Sequence, residues 1–532
     1  MIPVVPTRID GHEKPFKKIT PLVIVGILKD TMISLYQKSI AALVLMAACN
    51  LAFAQINNGR DPFFWLGQIN KASAVINTDE GLLERSKAPK IAAGLVKVLE
   101  DGAKPGAARP WRVVDFEPLM VRAAGQDASL LHAGRSSQDM FATYRAAIMR
   151  DNLLDLAEEL TKMSETLVRL SEKHAQTIVP NYTNGIAAQP NSLGHAWLGH
   201  AAGFERDAQR IREAYARIDR SPLGTTVLNG TSWPLNRTRI SQYLGFETIV
   251  DNAYDAAQIS SSEYPVEVAA IVTSIGLHSG HFIQDVMSQY GQVKPWIYLA
   301  PLRTLNTQVS SAMPQKQNPL LLTETRRDIS SSLALALGPL MRAHNIAPGM
   351  QDPKEVGSNT EMVQSAVLFL KRMDRILNAL VVDPKRALEE LNSDWTASQE
   401  LADVLMRNYK VPFRVGHDFS SEIVKHAKRH DIKPLDFPYA EAKRIYKEVT
   451  KDFNPQAELP MSEAEFFKTL DPIAIVQNRA TPGGPQASEM KRMIGLAYEK
   501  IKEQKQWNLG KREKINRSMA QLDQDFMKLL KP

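Results

Sequence analysis

The segment Gln308-Val-Ser310-Ser311-Ala-Met313-Pro314-Gln315-Lys316-Gln317-Asn318-Pro319 brings two adjacent hydroxyls, a lysine and an asparagine amide into one short stretch. Read alone, paired serines followed by proline and lysine make a flexible surface loop. Proton-transfer chemistry would demand more of them. A serine hydroxyl ionises far above neutral pH, so it accepts a proton only beside a cation, among loop N–H groups and away from water. Lys316, six residues after Ser310, supplies such a cation. Metal chemistry finds less support. His195 and His200 are five apart and fall on different helix faces. His278 and His281 share a stripe with Asp285, but no further carboxylate or cysteine completes a set, and no metal site is expected. There is no P-loop and no GxGxxG cradle, so no cofactor is implied.

Residues that could act in this way need elements to hold them, and the chain reads as helices. Ser136 to Val179 contains neither Gly nor Pro. Met149, Leu153, Leu156, Leu160, Met163, Leu167, Leu170 and His174 repeat in alternating steps of four and three, a seam with a 3.5-residue period. A helix of that length, about 60 Å at 1.5 Å per residue, must pack along partners of similar length. Val266–Val286 and Thr325–Asn345 are candidate partners. Alternating strand patterns are scarce, and no internal repeat is evident. The expected fold is all-α, a central long-helix bundle over 136–385. Smaller helical domains flank it at 55–135 and 386–532, the latter ending in a basic tail that forms one more helix.

As a string, Ser-Ser-x-Met-Pro-x-Lys-x-Asn-Pro at 310–319 resembles the signature of the fumarase/aspartase superfamily. Members of that superfamily eliminate an amine or hydroxyl from a succinyl group and release fumarate. Other segments point to the argininosuccinate lyase branch. His132-Ala-Gly134-Arg135-Ser136-Ser137-Gln138-Asp139 is similar to its His-Thr-Gly-Arg-Ser-Arg-Asn-Asp stretch. Tyr182-Thr183 with Ala188-Gln189-Pro190 and Gly194-His195 resembles the second active-site segment, and Ser221-Pro-Leu-Gly224 the loop that follows. Val411-Pro412-Phe413-Arg414 and Leu470-Asp471-Pro472 look like the C-terminal domain. The likeness runs from about Ile56 to Met493 and leaves out the tail Lys502–Pro532.

The resemblance implies a C–N lyase acting on an N-substituted aspartate of the argininosuccinate type. Ser310 is then the base, Lys316 the cation beside it, and Asn318 a donor to the substrate carboxylate, all on a mobile loop. Removing a proton beside a carboxylate makes a doubly charged aci-carboxylate, which calls for fixed positive charge and donors. Ser136, Gln138 and Thr183 would hold the other carboxylate, although singly each reads as a cap or turn residue. His344, Gln351 and Lys354 correspond to a stretch that contacts the amine side of the substrate. The expected ligand is a small dicarboxylate-containing molecule whose amine portion these residues do not specify. The expected assembly is a homotetramer with active sites shared between subunits.

The chain departs from that pattern at several positions. Asn184 stands where the branch has a proton-relaying His, and Thr323 where it has the Glu that orients that His, with Glu324 one place later. Loss of both partners is self-consistent, since a carboxylate facing no imidazole would be a buried unpaired charge. Ser137 and Gln138 replace Arg and Asn, and His344 replaces Tyr with two residues inserted before Gln351. Two alternatives therefore stand beside an active lyase: a catalytically silent relative that binds ligand, and an isomerase of the same superfamily.

The N-terminus carries a different signal. Lys38 precedes an apolar run from Ser39 to Cys49, and Ala52-Phe53-Ala54 follows. A positive flank, about ten apolar residues and an Ala-x-Ala site make a secretory signal, too short to span a bilayer. Residues 1–54 read as leader, with Met32 a candidate start, cleavage after Ala54 and a periplasmic or secreted product. Cys49 is the one cysteine of 532 residues, which rules out a disulfide framework or thiolate cluster. The length implies two or three domains. The net charge of +7 is spread thin and the only dense basic run lies near the C-terminus, so nucleic acid is not an expected partner, and no membrane span is expected.

Overall fold

The computed structural model describes residues 59–302 and 305–531. The expected signal peptide, its cleavage after Ala54 and the start at Met32 lie outside them. The fold is all-α, and long helices build its centre: α1 (Ser137–Lys173), α2 (Leu193–Ile218), α3 (Ser260–Gln289), α4 (Leu320–Ala343), α5 (Val356–Ala379) and α6 (Ala487–Lys528). Helix α1 packs between α2 and α5, while α4 packs on α3 and α5. Its expected seam faces inward, with Met149, Leu153, Leu156, Leu160, Met163 and Leu167 all buried.

Both ends of α1 have local causes. At the start, the Ser136 hydroxyl accepts from Gln138 N–H at 3.0 Å and the Asp139 carboxylate accepts from Ser136 N–H at 2.8 Å, a reciprocal capping box. At the other end, the stretch without Gly or Pro runs on to Val179, but the helix stops at Lys173. The chain there enters a hairpin, β1 (Ile178–Thr183) against β2 (Ile186–Ser192), with Thr183 opposite Ile186. Asn184 (φ 54) and Gly185 (φ 79) form its two-residue turn. Such turns need left-handed backbone at both central positions, which Asn-Gly supplies at least cost. Shorter pairings join β3 (Ile297–Leu299) to β6 (Leu380–Val382) and, between them in sequence, β4 (Gln308–Val309) to β5 (Gln317–Asn318).

The flanking regions differ from the expected layout. The helices Pro62–Asp79, Ala88–Ala103 and Val113–Ala124 contribute Trp65, Ile69, Leu95 and Phe116 to the main core rather than to one of their own. A separate core does exist over 395–470, built on Leu401, Phe419, Ile423, Phe437 and Phe466. Helix α6, expected to belong with it, instead buries Met490, Ile515, Leu522 and Phe526 in the main core. Polar contacts pin α6 antiparallel along α1. Tyr498 bonds Glu172, Lys505 bonds Glu165, and Asn508 donates to the Leu154 carbonyl at 2.7 Å. Helix α3, with the turn that precedes it, has the length and hydropathy of a membrane span, the one such helix among the described residues; half of its most apolar stretch is buried in the bundle.

Candidate active site

The loop bearing Ser310 is the tip of the β4–β5 hairpin. Ser310 N–H donates to the Lys316 carbonyl at 3.1 Å, and Lys316 N–H to the Met313 carbonyl at 3.0 Å. This turn aims two backbone N–H groups, of Ala312 at 3.3 Å and Met313 at 3.1 Å, at Ser310 Oγ. Oriented N–H dipoles favour negative charge on the oxygen they face. Ser310 and Asn318 are half-buried, whereas Lys316 and the rest of the tip are exposed. The stem is fixed: Leu321 N–H donates to the Asn306 carbonyl at 3.1 Å, and Arg375 to the Leu305 carbonyl at 2.6 Å. Thr323 spends its hydroxyl on the Leu320 carbonyl of its own helix at 2.9 Å.

Thr183 and Asn184 sit exposed at the tip of the β1–β2 hairpin. Beside the tip, the Tyr182 hydroxyl anchors the hairpin: it donates to Glu390 and accepts from Gln289 at 2.9 Å and Trp296 at 3.2 Å. Burial, reinforced by Glu390, pushes that hydroxyl up to about 12. Asn184 thus occupies a position whose first demand is backbone geometry.

Ser136 and Gln138 stand at the other end of α1, both half-buried. The Ser136 hydroxyl is the helix cap already described. Asp139, fully buried, also accepts from Gly224 N–H at 2.8 Å and Thr226 N–H at 3.2 Å, tying the loop after Ser221 to the helix. Burial raises its carboxyl to about 6, opposed by these N–H groups and by Arg135. At Gly224 (φ +83) a Cβ would meet Arg237 Cγ at 2.9 Å, so the close approach requires glycine.

The same end of the bundle holds Gln351 and Lys354. Gln351 accepts from Arg145 of α1 at 2.6 Å. Lys354 is 1% exposed, and its ammonium donates to the Ala257 carbonyl at 3.4 Å, in the single π-turn that leads into α3. Burial first, then the neighbouring Arg145 charge, lowers Lys354 to about 8. His344 is exposed where α4 ends. No motif marks Arg145; its place seven residues after Gln138, on one helix face, is the signal for it in the sequence.

The candidate residues of one chain therefore form two separate groups, candidate half-sites. The Ser310 loop and the Thr183–Asn184 tip lie at the end where α1 finishes and α4 begins. The group Ser136, Gln138, His344, Gln351 and Lys354 lies where α1 starts and α4 finishes. At 1.5 Å per residue the length of α1 separates them by roughly 50 Å.

A model of a lyase family matches residues 117–330, and one of the argininosuccinate lyase C-terminal region matches 395–477. The argininosuccinate lyase of Methanosarcina acetivorans is 27% identical over 439 residues, covering 80% of this chain and 85% of its own. That of Methanocaldococcus jannaschii is 26% identical over 460 residues, covering 84% and 90%. Among solved structures, EDDS lyase in complex with formate superposes with a TM-score of 0.80 at 24% identity, covering 88% of this chain and 92% of its own. The 3-carboxy-cis,cis-muconate lactonizing enzyme of Pseudomonas putida superposes at 0.59 with 17% identity, covering 86% and 98%. These likenesses to solved structures concern the fold.

Proposed function

We propose that this chain, a carbon–nitrogen lyase of the fumarase/aspartase superfamily similar to argininosuccinate lyases, eliminates an amine from an N-substituted aspartate and releases fumarate, with Ser310 as the base. The observation that carries this reading is the pair of N–H groups aimed at Ser310 Oγ, six residues from Lys316. In the proposed reaction the Ser310 alkoxide removes the proton next to a substrate carboxylate. Lys316 and Asn318 stabilise the resulting aci-carboxylate. The C–N bond then breaks, its electron pair leaves with the nitrogen, and that nitrogen takes up a proton as the amine departs.

Assembly follows from the two half-sites. No single chain can close a site across the length of α1, so the proposed unit is a homotetramer in which the Ser310 loop of one subunit meets the Ser136–Gln351 end of another. Exposed Leu277, Leu337, Leu340, Met341 and Leu368 on α3, α4 and α5 support it, because solvated apolar helix faces mark interfaces. A location outside the cytoplasm is proposed on the leader alone, and mature protein whose first residue is not Gln55 would refute it.

Incubating the purified protein with argininosuccinate and other N-substituted aspartates, and following fumarate, tests the reaction. Release of fumarate that is lost in Ser310→Ala supports it. A second reading, a relative that binds fumarate without turnover, is favoured by Asn184 at a turn position and by Thr323 bonded to its own helix. Calorimetric binding of fumarate with no turnover of any substrate would establish that reading instead.

A further inference from the structure

Arg145 lies on the face of α1 that also carries Gln138, with Phe141 between them; the two ends are about 10 Å apart at 1.5 Å per residue. It is 8% exposed. Its Nη2 donates to Gln351, its Nε has no partner among the described residues, and the rings of Phe141 and Tyr144 lie 5.4 and 6.0 Å from its centre. Each of these partners is neutral. The Lys354 ammonium nearby has only a carbonyl oxygen. The carboxylate next in sequence, Glu355, accepts from the N–H groups of Gly357 and Ser358 and forms no ion pair with either cation. Two buried cations without a counter-anion are costly unless something supplies one. Phe141, with the half-exposed Trp111 packed on it at 6.1 Å, forms an apolar wall between Gln138 and Arg145.

We propose that Arg145 selects the leaving amine: the substituent on the substrate nitrogen ends in a carboxylate with no ammonium beside it, and the guanidinium binds that carboxylate. This inference rests on the lyase reading above and deepens it. A methylene chain would run along Phe141, with the succinyl group at the Gln138 end. Argininosuccinate carries an ammonium next to its distal carboxylate, which would face Arg145 and Lys354 as a third cation. It is therefore expected to be a poor substrate.

The test runs the reaction backwards on the purified protein in its native assembly, following loss of fumarate absorbance. Three amines of equal chain length are compared: 5-aminopentanoate, 5-aminopentan-1-ol and 1,5-diaminopentane. The carboxylate-ended amine should react with a kcat/KM at least about tenfold above the other two, a factor equivalent to about 1.4 kcal/mol. Arg145→Leu should bring that ratio towards one, and Arg145→Lys should restore part of it. Because Arg145 is buried, the wild-type ratio decides the matter even if the variants fold poorly. Equal rates for the three amines, or preference for the diamine, would overturn the inference and leave the lyase reading standing. Fumarate consumed with none of them, and none formed from argininosuccinate, would overturn both.

Discussion

Ser310 is poised by its own loop: the turn from Ser310 to Lys316 exists to satisfy backbone groups, and in doing so it aims two N–H dipoles at the hydroxyl oxygen. Ser310→Ala should lower kcat by about 10²–10⁴-fold with little change in KM, since a base acts in the transition state more than in binding. Stopped-flow kinetics on N-substituted aspartates would show it, and an unchanged kcat would remove Ser310 from the mechanism. Lys354 gives a pH dependence. Its ammonium is held down at about 8 by burial, so it is charged below that pH and neutral above. Affinity for an anionic substrate should therefore fall several-fold as pH rises through about 8, and Lys354→Met should flatten the step in calorimetric titrations. The residue types at 310–318 were legible as a string, but not the turn that aims two N–H groups at the Ser310 hydroxyl. Ser136 illustrates the reverse case: its bland reading, a helix cap, is what its hydroxyl does here.

At the scale of elements, periodicity was the readable part. The steps of four and three from Met149 to Leu167 fix which face of α1 is buried, because a 3.5-residue repeat keeps one stripe towards its partners. The end of α1 was not legible from periodicity, although the dipeptide Asn184-Gly185 is itself a strong hairpin signal. The core that helix α6 joins was not legible for a related reason. Its helical pattern is local, whereas its contacts with Glu165, Leu154 and Glu172 join residues more than three hundred positions apart. Asp139 joins elements in the same long-range way, since its carboxylate serves Ser136, Gly224 and Thr226 together. Asp139→Ala would strand those N–H groups in the core and cost about 2–4 kcal/mol, read as a lower urea midpoint. A loss below 1 kcal/mol would mean that water replaces the carboxylate.

On the proposed reading, the candidate residues of the whole molecule lie too far apart for a monomer to close a site. Ser310, Lys316 and Asn318 sit at one end of a bundle roughly 50 Å long, and Gln138, Arg145 and Gln351 at the other, so α1 and α4 act as spacers. Antiparallel association would bring the loop end of one copy against the opposite end of its neighbour, and the exposed leucines of α3, α4 and α5 provide the apolar surface for it. Subunit mixing then distinguishes shared sites from self-contained ones. Ser310→Ala lacks a working loop but keeps the Gln138–Arg145 face, whereas Arg145→Leu with Gln351→Leu spoils that face but keeps the loop. Each variant should be nearly inactive alone. Dissociated together in mild denaturant and reassembled, random mixing leaves about a quarter of the sites with both halves intact, and activity should return towards that fraction. If each site lies within one chain, no mixture can contain an intact one, and activity should stay at the level of the separate variants.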